Sequence, residues 1–522
     1  MPTATRADAV PDRLWLFGLA VLLPTLAMLL LGFDANWDLR NYHLYNVHAW
    51  LTGRMAIDIA PAQLQGWHNP LLDVPLYLLV TSGLSARWSG AWLTVPYIVA
   101  LVFLLRLQQA LSSEPPSRTS QAVLALLAVT GAATYSTLAL SMNDGFVAAA
   151  ILGSLLLVLG KGDKEQPSRW FLAGLLAGLV TGLKLSAAIY CIGLACSAVV
   201  GADWKDRMRR LGSLAAGGAA GFAISYAYWG WQLWTTRGNP FFPYYNNVFQ
   251  SPDALPMPWA DLRFRPETWL DALLSPIHLL SRSQRFSELT LSDPRLLAGL
   301  VGLALLCFLH RRSAVALRRK FAMLLVFFLS SFLLWVFQYG IYRYAIALEM
   351  IGCLALVLLL QRLPRGRGLA LLIALLLVSA DTKRPDWGHT RSAAPGLGLV
   401  RPAIGSDALV VTATDAPLAY FALALPDQVP IVAVANNLMA PGRCTRLQMQ
   451  AEQRLRAHTG PILLLTDAQD HSGVGQALLR RHYGLQQDGA CSTLASSVGK
   501  AELCPQRRAA DGQPAVSACP AP

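Results

Sequence analysis

The chain has 522 residues, 54% hydrophobic and 14% charged, with a mean hydropathy of +0.42. Soluble domains carry about a quarter charged residues, so this composition excludes a water-soluble enzyme, a disordered chain and a small disulfide scaffold. The 43 Lys and Arg against 30 Asp and Glu leave a net charge of +13. In a soluble protein that surplus would suggest nucleic acid, but against so apolar a background it reads as the bias of basic residues toward cytoplasmic loops.

Crossing the hydrocarbon core takes about 20 mostly apolar residues. Stretches of this kind run over 14–33, 92–111, 120–139, 145–160, 170–184, 186–201, 211–232, 295–310, 320–338, 342–361 and 367–380. They predict a mainly α, polytopic membrane protein with about eleven transmembrane helices. The first is too long for a cleaved signal peptide and has no small-residue cleavage site after it. Leu71–Leu84 follows Asn69-Pro70 and contains Asp73 and Pro75; it is short for a span and reads as an interfacial or re-entrant helix.

Charge sets the orientation. With the N-terminus cytoplasmic, loops 1–13, 106–119, 161–169, 202–211, 310–320 and 361–367 carry 19 Lys and Arg against 7 acidic residues. The rest of the chain before Ala380 carries 11 against 12, and the tail from Asp381 carries 13 against 11. The surplus thus lies in one set of alternate loops, strongest at Asp203–Arg210 and Arg311–Lys320. A full span at Leu71–Leu84 would break this parity. Loops 34–91 and 233–293 and the whole tail then face outward, into a periplasm.

The outward face holds the residues that could carry chemistry. In Gly32–His48, Asp34 and Asp38 are four apart and would share one side of a helix. Arg40 and His43 are near enough to join them, with Tyr42 and Tyr45 as aromatic surface. Two carboxylates at a membrane surface suit a general base or a metal ligand; the alternative is a polar helix end with interfacial aromatics. Asp144, in Ser141–Gly145, is either a second acid or ordinary turn chemistry. Lys184 lies in an apolar stretch, where a cation is costly unless it snorkels or meets an anion. The loop Gly238–Tyr245 is rich in turn formers and aromatics. Arg343, between Tyr342 and Tyr344, could grip a phosphate with both arms of its guanidinium or serve as an interfacial anchor. Glu349 is an unusual membrane carboxylate, expected to pair with a basic neighbour. No phosphate-cradling Gly-Lys-Ser/Thr loop, dinucleotide fingerprint, His-Glu-x-x-His or Gly-x-Ser-x-Gly string occurs.

The tail changes character. After a linker at 381–405, apolar runs at Ala408–Thr412, Val429–Val434 and Pro461–Thr466 read as buried strands. Pro417–Leu425, Thr445–His458 and Gly475–His482 read as helices, so 406–522 is expected to form a small parallel α/β domain, distinct from a transmembrane domain over 1–380. Cys191, Cys196, Cys307 and Cys353 fall within spans as apolar packers, whereas Cys444, Cys491, Cys504 and Cys519 fall in the tail. Cys491 and Cys504 frame a hairpin-like stretch and are the expected disulfide; metal binding is the poorer reading, since no close Cys or His pair accompanies them.

An aspartate just past the first span, an outer amphipathic helix with a Tyr-rich face ending in Leu51-Thr-Gly-Arg54, and an interfacial helix opening with Asn69-Pro-Leu-Leu72 together resemble the GT-C superfamily. These are integral-membrane glycosyltransferases that take sugar from a polyprenyl-phosphate carrier. The likeness is nearest to bacterial members resembling protein mannosyltransferases and the lipid A aminoarabinose transferase, many of which have Pro-Pro where this chain has Asn69-Pro70. The resemblance implies a GT-C-like fold in a bacterial inner membrane and an inverting transfer to a lipid, glycan or protein acceptor. It makes Asp34 the base, with Asp38 as the fallback and Asp144 as a second acid. It places Lys184 and Arg343 on the donor phosphate, and Arg40, His43 and Tyr342 among the substrate-binding residues. No cofactor is required and a divalent cation is compatible; nucleic acid is not expected as a partner. Two rivals stand beside this: a flippase for lipid-linked sugars, which would be expected to show repeats with broken spans, and an O-antigen-ligase-like enzyme using Arg282, Arg285 and His278.

Overall fold

Among the described residues, four helices are long and apolar enough to cross a membrane: Arg13–Leu31, Ala86–Leu111, Val315–Gln338 and Tyr342–Leu360. The computed structural model describes residues 9–160 and 166–509; Cys519 and residues 161–165 of an expected cytoplasmic loop lie outside them. Further apolar helices at Arg118–Val129, Asp144–Leu159 and Leu185–Ala198 are shorter. The protein is mainly helical with a small C-terminal sheet region, and the expected count of about eleven spans is not confirmed by these lengths. Leu71–Thr81 is a short apolar helix, about 16 Å long at 1.5 Å per residue.

The chain divides into two compact units. The first consists of the N-terminal stretch up to Leu31 with Ala91–Ala227 and Asp261–Trp387; the second consists of Gly32–Gly90, Tyr228–Ala260 and the stretch from Gly388 onward.

In the first unit, the apolar stretch expected as one span over 120–139 is broken. One helix runs Arg118–Val129 and a second, Ala132–Thr137, starts after Gly131. The new N-terminus has backbone N–H groups with no partner inside their own helix, and two buried carboxylates accept them. Asp293 Oδ2 takes the Ala132 N–H at 2.7 Å. Glu349 takes those of Ala133 and Thr134 at 2.9 and 3.0 Å, with the Thr134 hydroxyl at 2.5 Å. Arg295 pairs with Asp293 at 2.9 Å and donates to Thr130 Oγ1 and the Leu127 carbonyl. Glu349, expected to pair with a basic neighbour, caps this helix and also interacts electrostatically with Arg295. In hydrocarbon, freed backbone groups must be re-satisfied internally, which is what Glu349 and Asp293 do.

Small residues let two helices of this unit touch along their backbones. A Cβ on Gly178 would lie 2.1 Å from the Gly218 carbonyl oxygen, and one on Gly174 would lie 2.1 Å from that of Leu214. This spacing of small residues is a recurrent membrane helix seam. It sets Pro167–Leu183, the helix that ends at Lys184, against Trp204–Arg237.

The second unit begins with a strand. β1 (Phe33–Asp34) pairs antiparallel with β2 (His389–Thr390), Phe33 opposite Thr390 and Asp34 opposite His389. Gly32 permits this: its φ is +106°, and a Cβ there would meet the Thr390 carbonyl oxygen at 2.3 Å. Asn36 Oδ1 then caps the Leu39 N–H at 2.7 Å, and the chain enters a π-helical turn, Leu39–His43, and an α-helix, Leu44–Thr52. Gly53, left-handed at φ 75°, ends that helix.

The tail sheet contains β3 (Leu409–Ala413), β4 (Ile431–Ala435), β5 (Ile462–Asp467), β6 (Leu485–Gln487), β7 (Ser492–Ala495) and β8 (Lys500–Arg508). Its order is β4-β3-β5-β8-β6, with β7 also on β8. The three expected strands are parallel, and β6, β7 and β8 add an antiparallel half that composition did not reveal. The outer edge of β4 is covered by the loop segment at Ile59: the Ile59 N–H donates to the Ile431 carbonyl and the Ala433 N–H to the Ile59 carbonyl, both at 2.9 Å. Covering an edge in this way removes a surface prone to unwanted pairing.

Arg54 and Asp58 fix that loop. The guanidinium forks onto both Asp58 oxygens at 3.0 and 3.1 Å and also donates to the Val429 carbonyl at 2.7 Å. Asp58 Oδ1 takes the Ile431 N–H at 2.8 Å and Oδ2 takes the Tyr45 hydroxyl at 3.0 Å. Both side chains are only 1% exposed. Burial pushes the Asp58 carboxyl up, while Arg54 and the Ile431 N–H pull it down.

Candidate active site

Three of the charged residues singled out by the sequence meet in the first unit. Asp144 is the first residue of helix Asp144–Leu159, and Lys184 follows the last residue of helix Pro167–Leu183. An anion at a helix N-terminus and a cation at a C-terminus are both favoured by the helix dipole. Lys184 Nζ pairs with Asp144 Oδ1 and donates to the Met142 carbonyl at 2.5 Å. Arg343 Nη1 lies 3.5 Å from Asp144 Oδ2. Asp144 is 3% exposed, Lys184 17% and Arg343 13%.

Arg343 sits in a 3₁₀ turn, Tyr342–Ala345, that leads into helix Ile346–Leu360. A cation is disfavoured at that end of a helix. Asp144 offsets the cost, as does the Tyr344 ring, whose centroid is 5.1 Å from the guanidinium and 5.0 Å from Lys184 Nζ. Tyr344 is held in turn by the Tyr190 hydroxyl, which donates to its carbonyl at 2.6 Å. Two cations, one carboxylate and a helix N-terminus thus converge, an arrangement that can take an anionic oxygen. Tyr342 is different: it is fully buried, with its ring edge-on to Trp335.

The outer-loop candidates lie in the second unit. Asp34 and Asp38 do not share a helix face as expected, because Asp34 is in β1 and Asp38 precedes the π-helical turn; the pairing with His389 draws Asp34 into extended backbone. Both are buried, and Asp34 Oδ1 accepts the Asn36 N–H at 2.9 Å. Asp34 also lines a small apolar cleft with Phe33, Leu39, Leu76, Val80 and Leu397. Arg40 packs beside Gly499, where a Cβ would lie 3.1 Å from its Nη1.

His43 is paired with a residue that the sequence reading left in an apolar stretch: its Nδ1 is 2.8 Å from Asp73 Oδ2. Its ring lies 4.1 Å from that of Tyr42, which meets His68 edge-on at 4.9 Å. His68 Nε2 is 2.8 Å from the Tyr244 hydroxyl. The aromatic loop 238–245 thereby contributes a ring and a hydroxyl to this cluster. A tyrosine-rich surface was expected here, but the His43–Asp73 pair was not.

Cys491 and Cys504 are joined by a disulfide, and Cys444 is also disulfide-bonded. Among the described residues, the His, Cys, Asp and Glu atoms close enough together to hold a metal ion are those of Cys491, Glu502 and Cys504, and the disulfide occupies both sulfurs there. Arg285 and His278 both face Asp271.

Apolar helices around a buried, cation-rich site define a membrane protein with chemistry set at its helix ends. Residues 70–262 match the model of glycosyltransferase family 87, a family of the GT-C type. The match bears out the GT-C resemblance, and the chain is a membrane glycosyltransferase. Asp73, Asp144 and Lys184 fall inside the matched stretch; Asp34, Asp38, Arg40, His43, Tyr342 and Arg343 fall outside it. No curated protein matches the chain.

Proposed function

We propose that the enzyme moves a sugar from a polyprenyl-phosphate carrier to a hydroxyl of a lipid, glycan or protein acceptor on the periplasmic face of a bacterial inner membrane. The observation that carries this reading is the convergence of Lys184 and Arg343 on Asp144. A lipid-linked phosphate brings the same negative charge as Asp144 and suits the guanidinium's two-pronged donors. In the reaction, the acceptor oxygen bonds to the anomeric carbon as the bond from that carbon to the phosphate oxygen breaks. The phosphate leaves with the electron pair, and the two cations neutralise the charge that develops on it. Attack opposite the leaving group inverts the anomeric centre. The resemblance makes Asp34 the base that takes the hydroxyl proton, with Asp38 as the fallback. The step as written needs no metal, although carboxylates of this kind accommodate a divalent cation.

The orientation rests on the basic surplus of alternate loops and on the Cys491–Cys504 disulfide, a bond that persists in oxidising compartments. The basic surplus supports a cytoplasmic N-terminus and the disulfide a periplasmic tail, an arrangement that an odd number of spans such as about eleven would give. The ligase-like alternative gains nothing from Arg285 and His278, which face Asp271.

The test uses membrane vesicles supplied with labelled polyprenyl-phosphate sugar. Wild type is expected to transfer label to an acceptor, and Lys184→Ala to lose most of that transfer. Carrier movement across the bilayer with no transfer would establish the flippase instead.

A further inference from the structure

Glu349 is fully buried in the first turn of helix Ile346–Leu360, directly after the 3₁₀ turn Tyr342–Ala345 that holds Arg343. A helix start is usually capped by a polar side chain of its own N-cap residue. The N-cap of Ala132–Thr137 is Gly131, which has no side chain to offer. Glu349 supplies much of the cap instead, through the Ala133 and Thr134 N–H groups and the Thr134 hydroxyl. The fit is close, since a Cβ on Gly131 would run into the Glu349 carboxylate. The capped helix leads on to Asp144 through residues that are all buried, Leu138 to Asn143. Tyr97 holds this run at both ends: its hydroxyl lies 2.8 Å from Thr137 Oγ1, and a Cβ on Gly145 would meet its ring at 2.7 Å. A continuous packed path therefore joins the turn of Arg343 to Asp144 by way of Glu349, and all of it lies in the first unit.

We propose that Glu349 is a positioning residue for the donor site: it ties the turn of Arg343 to the segment of Asp144 and so sets the spacing of the two cations. The inference rests on the reading in which Lys184 and Arg343 hold the carrier's phosphate. Glu349 itself touches neither cation's head; it acts through the backbone of Ala133 and Thr134. In hydrocarbon those N–H groups have no water to fall back on, so the carboxylate holds the two elements in one register. With the tie intact, the guanidinium stands 3.5 Å from Asp144 Oδ2 before any phosphate arrives. With the tie loosened, the phosphate has to order the turn as it binds, and affinity falls. Asp293 caps the same helix start through the Ala132 N–H, but it precedes a different helix, Arg295–Leu309. It supports the helix without linking it to Arg343.

The experiment measures the binding of a polyprenyl phosphate to the full-length protein in nanodiscs, with melting temperature alongside, for wild type, Glu349→Gln and Asp293→Asn. Glutamine keeps the length of the side chain but sets an amide N–H₂ against one of the N–H groups that the carboxylate accepted. Glu349→Gln is expected to bind roughly 3–30-fold more weakly, the range of coupling carried through packed networks. In vesicles its donor half-saturation should rise by the same factor while the rate at saturating donor stays near that of wild type. Asp293→Asn is expected to melt at a lower temperature yet bind with wild-type affinity. Wild-type affinity in Glu349→Gln would overturn the proposal, and so would equal weakening in both variants, which would assign the loss to the helix start as a whole. If Glu349→Gln folds poorly, Thr134→Val decides, because it removes only the hydroxyl bond to Glu349: weaker binding supports the tie, and unchanged binding overturns it. Absence of saturable binding by wild type would sink the phosphate reading itself, an outcome distinct from all of these.

Discussion

The Lys184 ammonium and the Asp144 carboxylate form a partly buried pair that joins the end of one helix to the start of another. Arg343 reaches the second Asp144 oxygen at 3.5 Å. On the proposal that both cations serve the departing phosphate, Lys184→Met is expected to lower transfer by about 10²–10³-fold, the range seen when one preorganised electrostatic partner is removed. Arg343→Lys keeps the charge but loses the planar fork and is expected to cost about tenfold. Initial rates at saturating acceptor check both. A Lys184→Met enzyme with the wild-type rate would show that the pair is structural only.

The seam of small residues beneath Lys184 gives a second expectation. A Cβ on Gly178 would stand 2.1 Å from the Gly218 carbonyl oxygen, with backbone on both sides. Gly178→Val must therefore push the helices apart, at a cost of about 1–3 kcal/mol. The expected outcome is a lowered melting temperature in detergent together with reduced transfer. Gly18, which has nothing within 4 Å of an added Cβ, should accept Ala without either effect.

Arg54 and Asp58 are a buried pair whose loss should be felt as stability rather than chemistry. Arg54→Leu leaves Asp58 without its cation and the Val429 carbonyl without its donor. Breaking a buried pair from one side costs about 3–5 kcal/mol. Limited proteolysis of the tail is the direct readout, and faster cleavage than in wild type is expected. The double change to Leu at 54 and Asn at 58 should recover part of the loss.

His48 gives the pH dependence a sign. Burial first, and then the nearby Arg54 charge, pull its pKa down from 6.5 to about 4. Between those values the unfolded chain binds a proton that the folded protein does not. Stability from this group is therefore full above about 6.5 and declines as the pH falls toward about 4. His48→Gln should flatten the fall in melting temperature over that window relative to wild type. A steeper fall in the variant would contradict the assignment.

The sequence made parts of this molecule legible for physical reasons. Leu409–Ala413, Ile431–Ala435 and Ile462–Asp467 are runs of apolar side chains bounded by turn formers, and such runs declare buried strands locally. Lys184, Asp144 and Arg343 stood out because charge amid apolar sequence is costly, although their convergence is tertiary. What escaped notice depends on distant partners. Asp34 is extended because of His389, and no local pattern reports a partner so far along the chain. β8 is polar and contains Pro505, so it lacks the apolar signature of a strand. The break after Val129 is stabilised by Asp293 and Glu349, and hydropathy cannot see carboxylates arriving from other helices. Asp73 did carry a usable signal, an acid inside an apolar stretch, but its pairing with His43 thirty residues earlier required the fold.

Lys184 and Arg343 are proposed to hold the carrier's phosphate. The most direct measurement is the binding of a polyprenyl phosphate to the purified full-length protein in nanodiscs, for wild type and for the double variant Lys184→Ala, Arg343→Ala. Saturable binding that weakens by more than about tenfold in the variant, and that inorganic phosphate competes with only weakly, is predicted. Equal binding by both proteins would contradict it.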